Sequence, residues 1–184
     1  MASTSITPTA AVDSDILYEV VNGEIVELPP MGIYETWLAS LLHVQLHNFA
    51  AKKYGRAVME PLFDFTKTLG KKRRPDVAFV SYNRWPREKQ VPRTEAWDVV
   101  PNLAVEVVSS SNTADDVVDK LAEYFQVGVE RVWVVYPSQR QVYVYASPTD
   151  VKVVTEDEEL SDEVLLPGFR LALTALFDDT RTGG

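Results

Sequence analysis

The chain has 184 residues, a formal net charge of −9 and no cysteine. Its length fits one domain, and its 46% hydrophobic and 10% aromatic content predicts a folded globular protein rather than a disordered one. Without cysteine, a disulfide framework, a thiolate metal site and a Cys nucleophile are excluded. The negative charge argues against a protein that binds nucleic acid tightly over its whole surface.

The two ends of the chain differ in composition from the rest. Residues 1–14 are small and polar and predict a flexible tail, followed by a single domain over residues 15–178 and a short tail over residues 179–184. The start lacks the positive and apolar blocks of a signal peptide, and no apolar run approaches the roughly 20 residues of a membrane span. We therefore expect a cytoplasmic protein that has no membrane partner.

The first predicted elements are a hairpin and a helix. Asn22-Gly23 is a strong turn signal between two short strands, so Tyr18–Leu28 is predicted to form a β-hairpin. From about Tyr34 to Tyr54 apolar residues recur with helical spacing, and this predicts a helix with one apolar side.

Strands and one further helix are predicted in the remainder. The pattern predicts strands at 58–68, 76–81 and 103–109, a turn at 69–74 and a loop at 82–101. A helix to about residue 126, strands at 131–136, 141–146 and 150–155, an acidic loop and a short element ending near residue 177 follow. This order predicts an α/β or α+β fold, with a central sheet of mixed direction flanked by helices.

Two carboxylates interrupt otherwise apolar strands. Glu106 lies inside Leu103–Ser109, and Asp76 opens the strand at 76–81. An ionised carboxylate in a covered sheet is costly unless it is paired or binds a cation. Hard ions such as Mg²⁺ or Mn²⁺ prefer oxygen ligands and keep several waters, so two carboxylates and the Val107 carbonyl can suffice. Taken singly, Asp76 is also explained by bonds to nearby backbone or to Arg74, and Glu106 by a buried ion pair. Their shared context in apolar strands favours one metal site.

Lys120 and Glu35 are further candidates for this site. Lys120 lies at the edge of the apolar face of the helix after Glu106, from where it can reach over the end of the sheet. The alternative is a surface lysine whose stem covers the core while its ammonium stays in water. Glu35 shares one helix face with apolar residues further along, which directs it inward, and an exposed position near the helix start is equally compatible.

His43 and His47 are four residues apart on the first helix, as metal ligands can be. The sequence shows no His-Glu-x-x-His pattern and offers no third ligand nearby. Histidines facing solvent or the edge of the core are therefore the preferred interpretation.

One segment is positively charged within this negatively charged chain. Residues 67–93 contain nine basic and two acidic residues, so this segment is +7 and the remainder is −16. A basic segment beside a carboxylate site is typical of phosphate-backbone binding. A solvated loop is the alternative interpretation.

The ordered set of local motifs resembles the PD-(D/E)XK nuclease superfamily, and more narrowly the Uma-two family of restriction-endonuclease-like proteins. The resemblance covers nearly the whole chain after the first tail. The matching segments are Tyr18-Glu-Val-Val-Asn-Gly-Glu24, Arg74-Pro-Asp-Val-Ala-Phe-Val80, Val105-Glu-Val-Val-Ser-Ser-Ser111, Lys120-Leu-Ala-Glu-Tyr124, Gly128-Val-Glu-Arg-Val-Trp-Val134 and Leu166-Pro-Gly-Phe169.

The resemblance implies a restriction-endonuclease-like fold and Mg²⁺-dependent or Mn²⁺-dependent hydrolysis of phosphodiester bonds in DNA. Asp76 and Glu106 would hold the metal. The superfamily lysine that commonly stands two residues after the Glu is Val108 here, and Lys120 on the following helix would replace it. Many members carry a His near the start of the first helix, where this chain has Glu35.

The resemblance also implies partners. Lys71, Lys72, Arg73 and Arg74 would contact the DNA backbone, weakly or transiently in so acidic a chain. Since many nucleases of this fold cut two strands as dimers, a homodimer is expected. The competing hypothesis is a protein that keeps the nuclease fold but does not cleave, and serves as an interaction or regulatory module.

Overall fold

A six-stranded mixed sheet forms the middle of the protein in the computed structural model, which describes residues 16–51 and 53–180. The predicted tail at 1–14 and residues 181–184 of the predicted C-terminal tail lie outside the described residues. The described elements are β1 (Tyr18–Val21), β2 (Glu24–Glu27), α1 (Ile33–Ala50), β3 (Gly55–Met59), β4 (Phe63–Phe65), α2 (Thr66–Leu69), β5 (Lys71–Arg73), β6 (Val77–Ser81), β7 (Leu103–Val107), α3 (Ala114–Val127), β8 (Arg131–Tyr136), a 3₁₀ turn (Pro137–Gln139), β9 (Gln141–Ser147), β10 (Asp150–Val154), β11 (Glu159–Asp162), β12 (Leu166–Ala172) and α4 (Leu173–Phe177).

The large sheet has the strand order β10-β9-β8-β7-β6-β3. Strands β7 and β8 run parallel and are joined by α3, whereas the other neighbours run antiparallel. A parallel pair needs a crossover connection, and α3 supplies it. The predicted mixed direction, the flanking helices and the central position of the Glu106 strand are confirmed.

The N-terminal hairpin is also confirmed, and it joins a second sheet of order β2-β1-β5-β4. The prediction of a turn at 69–74 was wrong in part, because Lys71–Arg73 is a strand that pairs with β1 and β4. The single strand predicted at 58–68 was also wrong. Its residues divide between β3 in the large sheet, β4 in the small sheet and the short helix α2. Both differences arise from strand pairing that local patterns do not reveal, namely the pairing of β5 with β1 and of β3 with β6.

Two apolar clusters cover the faces of the large sheet. On one face the inward residues of α1, Leu38, Leu42 and Leu46, pack against alternate strand residues such as Val77 and Val105. On the other face the residues of α3 and β4 pack against the intervening strand residues; this second cluster includes Ala78, Ala104, Leu121, Tyr124 and Phe63. The period of two along a strand therefore assigns even-numbered residues of β6 and β7 to the face that α3 covers.

Helix α3 has well-defined ends. Thr113 accepts a hydrogen bond from the Asp116 main chain and Asp116 reaches back to the Thr113 N–H, which forms a capping box. Gly128 ends the helix with a φ of 96°, a conformation that favours glycine. These ends fix the rotation of α3 over the sheet, and with it the direction of its side chains. No helix in the part of the chain described here is both long and apolar enough to cross a bilayer.

Candidate active site

Asp76 and Glu106 face each other across two neighbouring strands. The antiparallel register of β6 and β7 pairs Val77 with Val105, and one further step places Asp76 opposite Glu106. Both belong to the set of alternate residues that points toward α3. Directly opposite side chains have Cβ atoms about 4.5–5.5 Å apart, so the two carboxylates occupy one place on the sheet.

The Pro75-Asp76 pair ends the hydrogen-bond ladder at this point. The main-chain N–H of Val107 donates to Asp76 Oδ2 at 2.6 Å, so a side chain replaces the usual main-chain acceptor. The residue opposite Val107 in the register is Pro75, which has no N–H to donate. Because the N–H and C=O of one strand residue point to the same side, the Val107 carbonyl also faces this end of β6.

Lys120 and Tyr124 reach Glu106 from α3. Lys120 Nζ donates to Glu106 Oε2 at 3.1 Å, and the Tyr124 hydroxyl donates to Glu106 Oε1 at 2.6 Å. The two residues are one helical turn apart and therefore lie on one face of α3. Tyr124 is fully buried, and the Lys120 side chain is only 16% exposed. The Tyr124 hydroxyl, as a hydrogen-bond donor to Glu106, was not predicted from the sequence.

Glu19 is the other residue that sequence reasoning missed. It lies on β1, is 3% exposed, and its carboxylate is 3.4 Å from Lys120 Nζ. Arg73 Nη1 donates to Glu19 Oε2 at 2.6 Å, and the Arg74 N–H donates to Glu19 Oε1 at 2.9 Å. The available signal was its place inside the Tyr18–Glu24 motif that contributed to the family resemblance.

The electrostatics of the site are unbalanced. Burial, followed by the charge of Glu106, raises the pKa of Asp76 from 3.8 to about 8. Burial opposes the charge of Lys120, but the carboxylates of Glu106 and Glu19 outweigh burial and raise its pKa. Burial, with the same two carboxylates, also raises the pKa of Tyr124 well above 10, so this hydroxyl stays protonated and donates. Two facing carboxylates, of which only Glu106 pairs with the Lys120 ammonium, favour a bound cation or proton.

The donor atoms fit a hard divalent cation. Asp76, Glu106 and the Val107 carbonyl offer only oxygen, which Mg²⁺ and Mn²⁺ prefer. These three residues, with Arg74, Ser111 and Lys120, help to line a cavity of about 60 Å³, which is large enough for an ion and some of its water. Among residues 16–51 and 53–180, no group of three or more His, Cys, Asp or Glu side chains forms a metal site. A site here would therefore depend on two carboxylates, the carbonyl and water.

The structure does not bring Glu35 into this group. Glu35 lies in the first turn of α1, and its carboxylate folds back over Gly32, where it takes the space that a Cβ atom would need. The neighbouring Met31 lines the cavity, but Glu35 does not. The hydrogen bond of His43 is to the main chain, because its Nε2 lies 3.2 Å from the Ala57 carbonyl oxygen. Its ring contacts the ring of His47.

The four predicted phosphate-binding residues have different surroundings. Lys71 pairs with Glu123, and Arg73 pairs with both Glu19 and Glu123 while only 8% exposed. Their charges are thus neutralised inside the protein. Arg74 lines the cavity and donates to the carbonyls of Tyr18 and Glu60. Lys72, opposite Asp64 in the register, remains partly exposed.

The mixed central sheet with helices on both faces is a restriction-endonuclease-like fold. The family model Uma2 (Uma-two), described as "Putative restriction endonuclease", matches residues 8–174, and the chain belongs to this family. A solved structure of "a putative nuclease belonging to DUF820" from Anabaena variabilis has a similar fold, with a TM-score of 0.75, 18% sequence identity, and coverage of 87% of this chain and 89% of that one. No protein with a curated description matches the chain. The predicted family and fold class are confirmed.

Proposed function

We propose that this protein is a metal-dependent DNA endonuclease that hydrolyses phosphodiester bonds at the Asp76–Glu106 site. The observation that carries the proposal is the facing pair of carboxylates, in which the pKa of Asp76 is raised to about 8, beside an ammonium group. Facing carboxylates with so strongly raised a pKa lower the stability of the fold, and such groups are concentrated at functional sites. Family membership supports a nuclease-like protein; the metal, the substrate and the residues are our proposal.

Asp76, Glu106 and the Val107 carbonyl would hold a Mg²⁺ or Mn²⁺ ion. When bound, the ion would lower the pKa of a water molecule and polarise the scissile phosphate. Lys120, fixed by Glu106 at 3.1 Å, would orient the attacking water or stabilise the charge that develops on the phosphate oxygens. Tyr124 would keep the Glu106 carboxylate in one orientation through its 2.6 Å hydrogen bond.

Arg74 and Lys72 are the members of the predicted basic segment best suited to hold a phosphate backbone. Arg74 lines the cavity beside the carboxylates, and Lys72 is partly exposed on β5. Lys71 and Arg73 are engaged by Glu123 and would contact DNA only if those ion pairs opened. The DNA affinity of a −9 protein through so few cations would be weak and would fall with salt. A homodimer with two such sites, in the cytoplasm, completes the proposal.

The proposal is tested by incubating supercoiled plasmid with the purified protein in Mg²⁺, Mn²⁺ or EDTA. We expect nicked and linear products with either metal and none with EDTA, and no products from the Asp76→Asn variant under any condition. Cleavage that survives in Asp76→Asn would indicate a contaminating nuclease. No cleavage of plasmid, single-stranded DNA or RNA with either metal would refute the enzyme and favour the non-cleaving interaction module.

A further inference from the structure

The N-terminal hairpin supplies a buried carboxylate to the candidate site. Glu19 on β1 is 3% exposed, and one of its oxygens lies 3.4 Å from Lys120 Nζ. A buried carboxylate is tolerated when charged donors surround it. Glu19 has two such neighbours, Arg73 and Lys120, and also accepts a hydrogen bond from the Arg74 main-chain N–H.

Lys120 consequently stands between two carboxylates that belong to different sheets. Its ammonium is 3.1 Å from Glu106 on the large sheet and 3.4 Å from Glu19 on the small sheet. A lysine is a flexible point charge with three donors, so a single partner leaves its position poorly defined. Two partners on opposite sides limit the places that Nζ can occupy.

Glu19 is itself held in place. Arg73 Nη1 donates to Glu19 at 2.6 Å, while Arg73 Nε donates to Glu123 on α3 at 2.6 Å. Charges of alternating sign therefore run from Glu123 through Arg73, Glu19 and Lys120 to Glu106. This series links the hairpin to α3 and explains why Arg73, on the basic strand β5, is buried.

We propose that Glu19 is a positioning residue that draws Lys120 partly away from Glu106, and this inference rests on the proposed nuclease function. Without Glu19 the ammonium has only the carboxylates of the metal site as partners and occupies the place of the cation. With Glu19 present, Lys120 stays within reach of the reacting phosphate while Glu106 keeps lone pairs free for the cation. The hairpin is then part of the active site, because it carries Glu19.

The test is a double-mutant cycle with Glu19→Gln and Lys120→Met. We expect Glu19→Gln to lower kcat about tenfold or more, to leave KM nearly unchanged and to weaken Mn²⁺ binding several-fold, the scale of losing one charged hydrogen bond. In the Lys120→Met background the same substitution should change neither kcat nor the Kd for Mn²⁺, since there is no ammonium left to position.

Asp162→Asn is the matched control, because Asp162 is 7% exposed and paired with Arg131 at 2.8 Å away from the site. It should lower the melting temperature as Glu19→Gln does, yet leave kcat and Mn²⁺ binding intact. If Glu19→Gln does not fold, Glu19→Asp is the substitute, because its side chain is one methylene shorter and holds the charge farther from Lys120. Smaller changes of the same sign in kcat and in the Kd for Mn²⁺ are then expected.

Additive effects in the two backgrounds, or equal Mn²⁺ affinity in wild type and Glu19→Gln, would overturn the assignment. The failure of the proposed function is distinguishable from this result. A wild type that binds Mn²⁺ but cleaves nothing refutes the nuclease, and the comparison of Mn²⁺ affinities still decides the role of Glu19.

Discussion

Charged side chains lie at both ends of strands β6 and β7, but their surroundings differ. The Arg84–Glu130 pair at one end is partly exposed, with side chains 26% and 45% exposed, whereas the Lys120–Glu106 pair at the other end is largely buried, with side chains 16% and 12% exposed. At the far end, Arg84 donates to the carbonyls of Val100 and Pro101 and to Glu130 Oε1, and the same oxygen accepts from Asn102 at 2.6 Å. One cation meets one carboxylate there, and the main chain supplies the remaining partners. At the other end Asp76 and Glu106 face each other, and Lys120 is shared with a third carboxylate, Glu19.

This difference separates a structural cluster from a candidate site. A cluster that holds loops together is stabilised by matching every charge, as Arg84 and Glu130 do. At the Asp76 end, burial together with Glu106 raises the pKa of Asp76 to about 8, so ionising Asp76 lowers the stability of the fold. We therefore expect substitutions at the two ends to separate stability from activity.

The largest effect is expected for Asp76→Asn. Cleavage should fall by about 10³-fold or more, because one of two carboxylate ligands is lost. Stability without metal should rise at the same time. The folded-state pKa of about 8 lies above the ordinary 3.8, so the stabilisation from protonating Asp76 is fully present below pH 3.8 and is lost as the pH rises through 8.

Thermal melting at pH 5 and pH 8.5 in EDTA measures this effect. The wild type should lose on the order of 1 kcal/mol or more between the two values relative to Asp76→Asn. A variant that is less stable than wild type at pH 8.5 would show that Asp76 serves folding rather than a cation.

Lys120→Met is expected to have the next largest effect. Cleavage should fall about 10²-fold, typical of losing one preorganised charged group. Stability should fall by roughly 3 kcal/mol, since Glu106 and Glu19 lose their shared partner, and Mn²⁺ should bind more tightly in its place. Lys67→Met is the control, because Lys67 forms an exposed pair with Asp98. Equal cleavage rates in wild type and Lys120→Met would show that Lys120 takes no part in cleavage and that its stem only packs on the core.

Tyr124→Phe should have a smaller effect, because the ring still fills its buried position. The variant loses the 2.6 Å hydrogen bond to Glu106, which should lower stability by about 1–2 kcal/mol and cleavage about tenfold. Tyr82→Phe, which removes a 2.7 Å bond to the Ala51 carbonyl, should lower stability alone. The comparison fails if both variants reduce cleavage equally once corrected for folded fraction.

Glu130→Gln should have the smallest effect on activity. It leaves Arg84 without its carboxylate and should lower stability by less than about 1 kcal/mol, because the pair is partly exposed and the main-chain carbonyls still accept from Arg84. Cleavage measured well below the melting temperature should be unchanged. A loss of cleavage in the folded variant would contradict the division between the two ends.

The sequence predicted the elements whose signals are local. The apolar run around Glu106 predicted β7, and the apolar run that begins at Asp76 predicted β6. The helical spacing of α3 predicted that Lys120 reaches toward the sheet. The Asn22-Gly23 turn and the Gly128 helix end were likewise readable, since positive φ is concentrated in such residues.

The parts that the sequence did not reveal depend on distant partners. Strand β5 was taken for a turn because its basic residues look solvated, yet β1 and β4 pair with it and Glu19 and Glu123 neutralise it. Glu19 was missed for the same reason, because its burial is decided by β5 and α3 and not by its neighbours along the chain. By contrast, residues 159–162 were taken for an acidic loop although they form β11, which pairs with the nearby strand β12.

The most direct test of the account is a calorimetric titration of Mn²⁺ into wild type, Asp76→Asn and Glu130→Gln at pH 7 in two buffers of different ionisation enthalpy. We expect one ion per chain for wild type and for Glu130→Gln, with proton release to the buffer because Asp76 must lose its proton to bind the ion. We expect no binding for Asp76→Asn. Equal binding by wild type and Asp76→Asn, or binding lost in Glu130→Gln but kept in Asp76→Asn, would contradict the account.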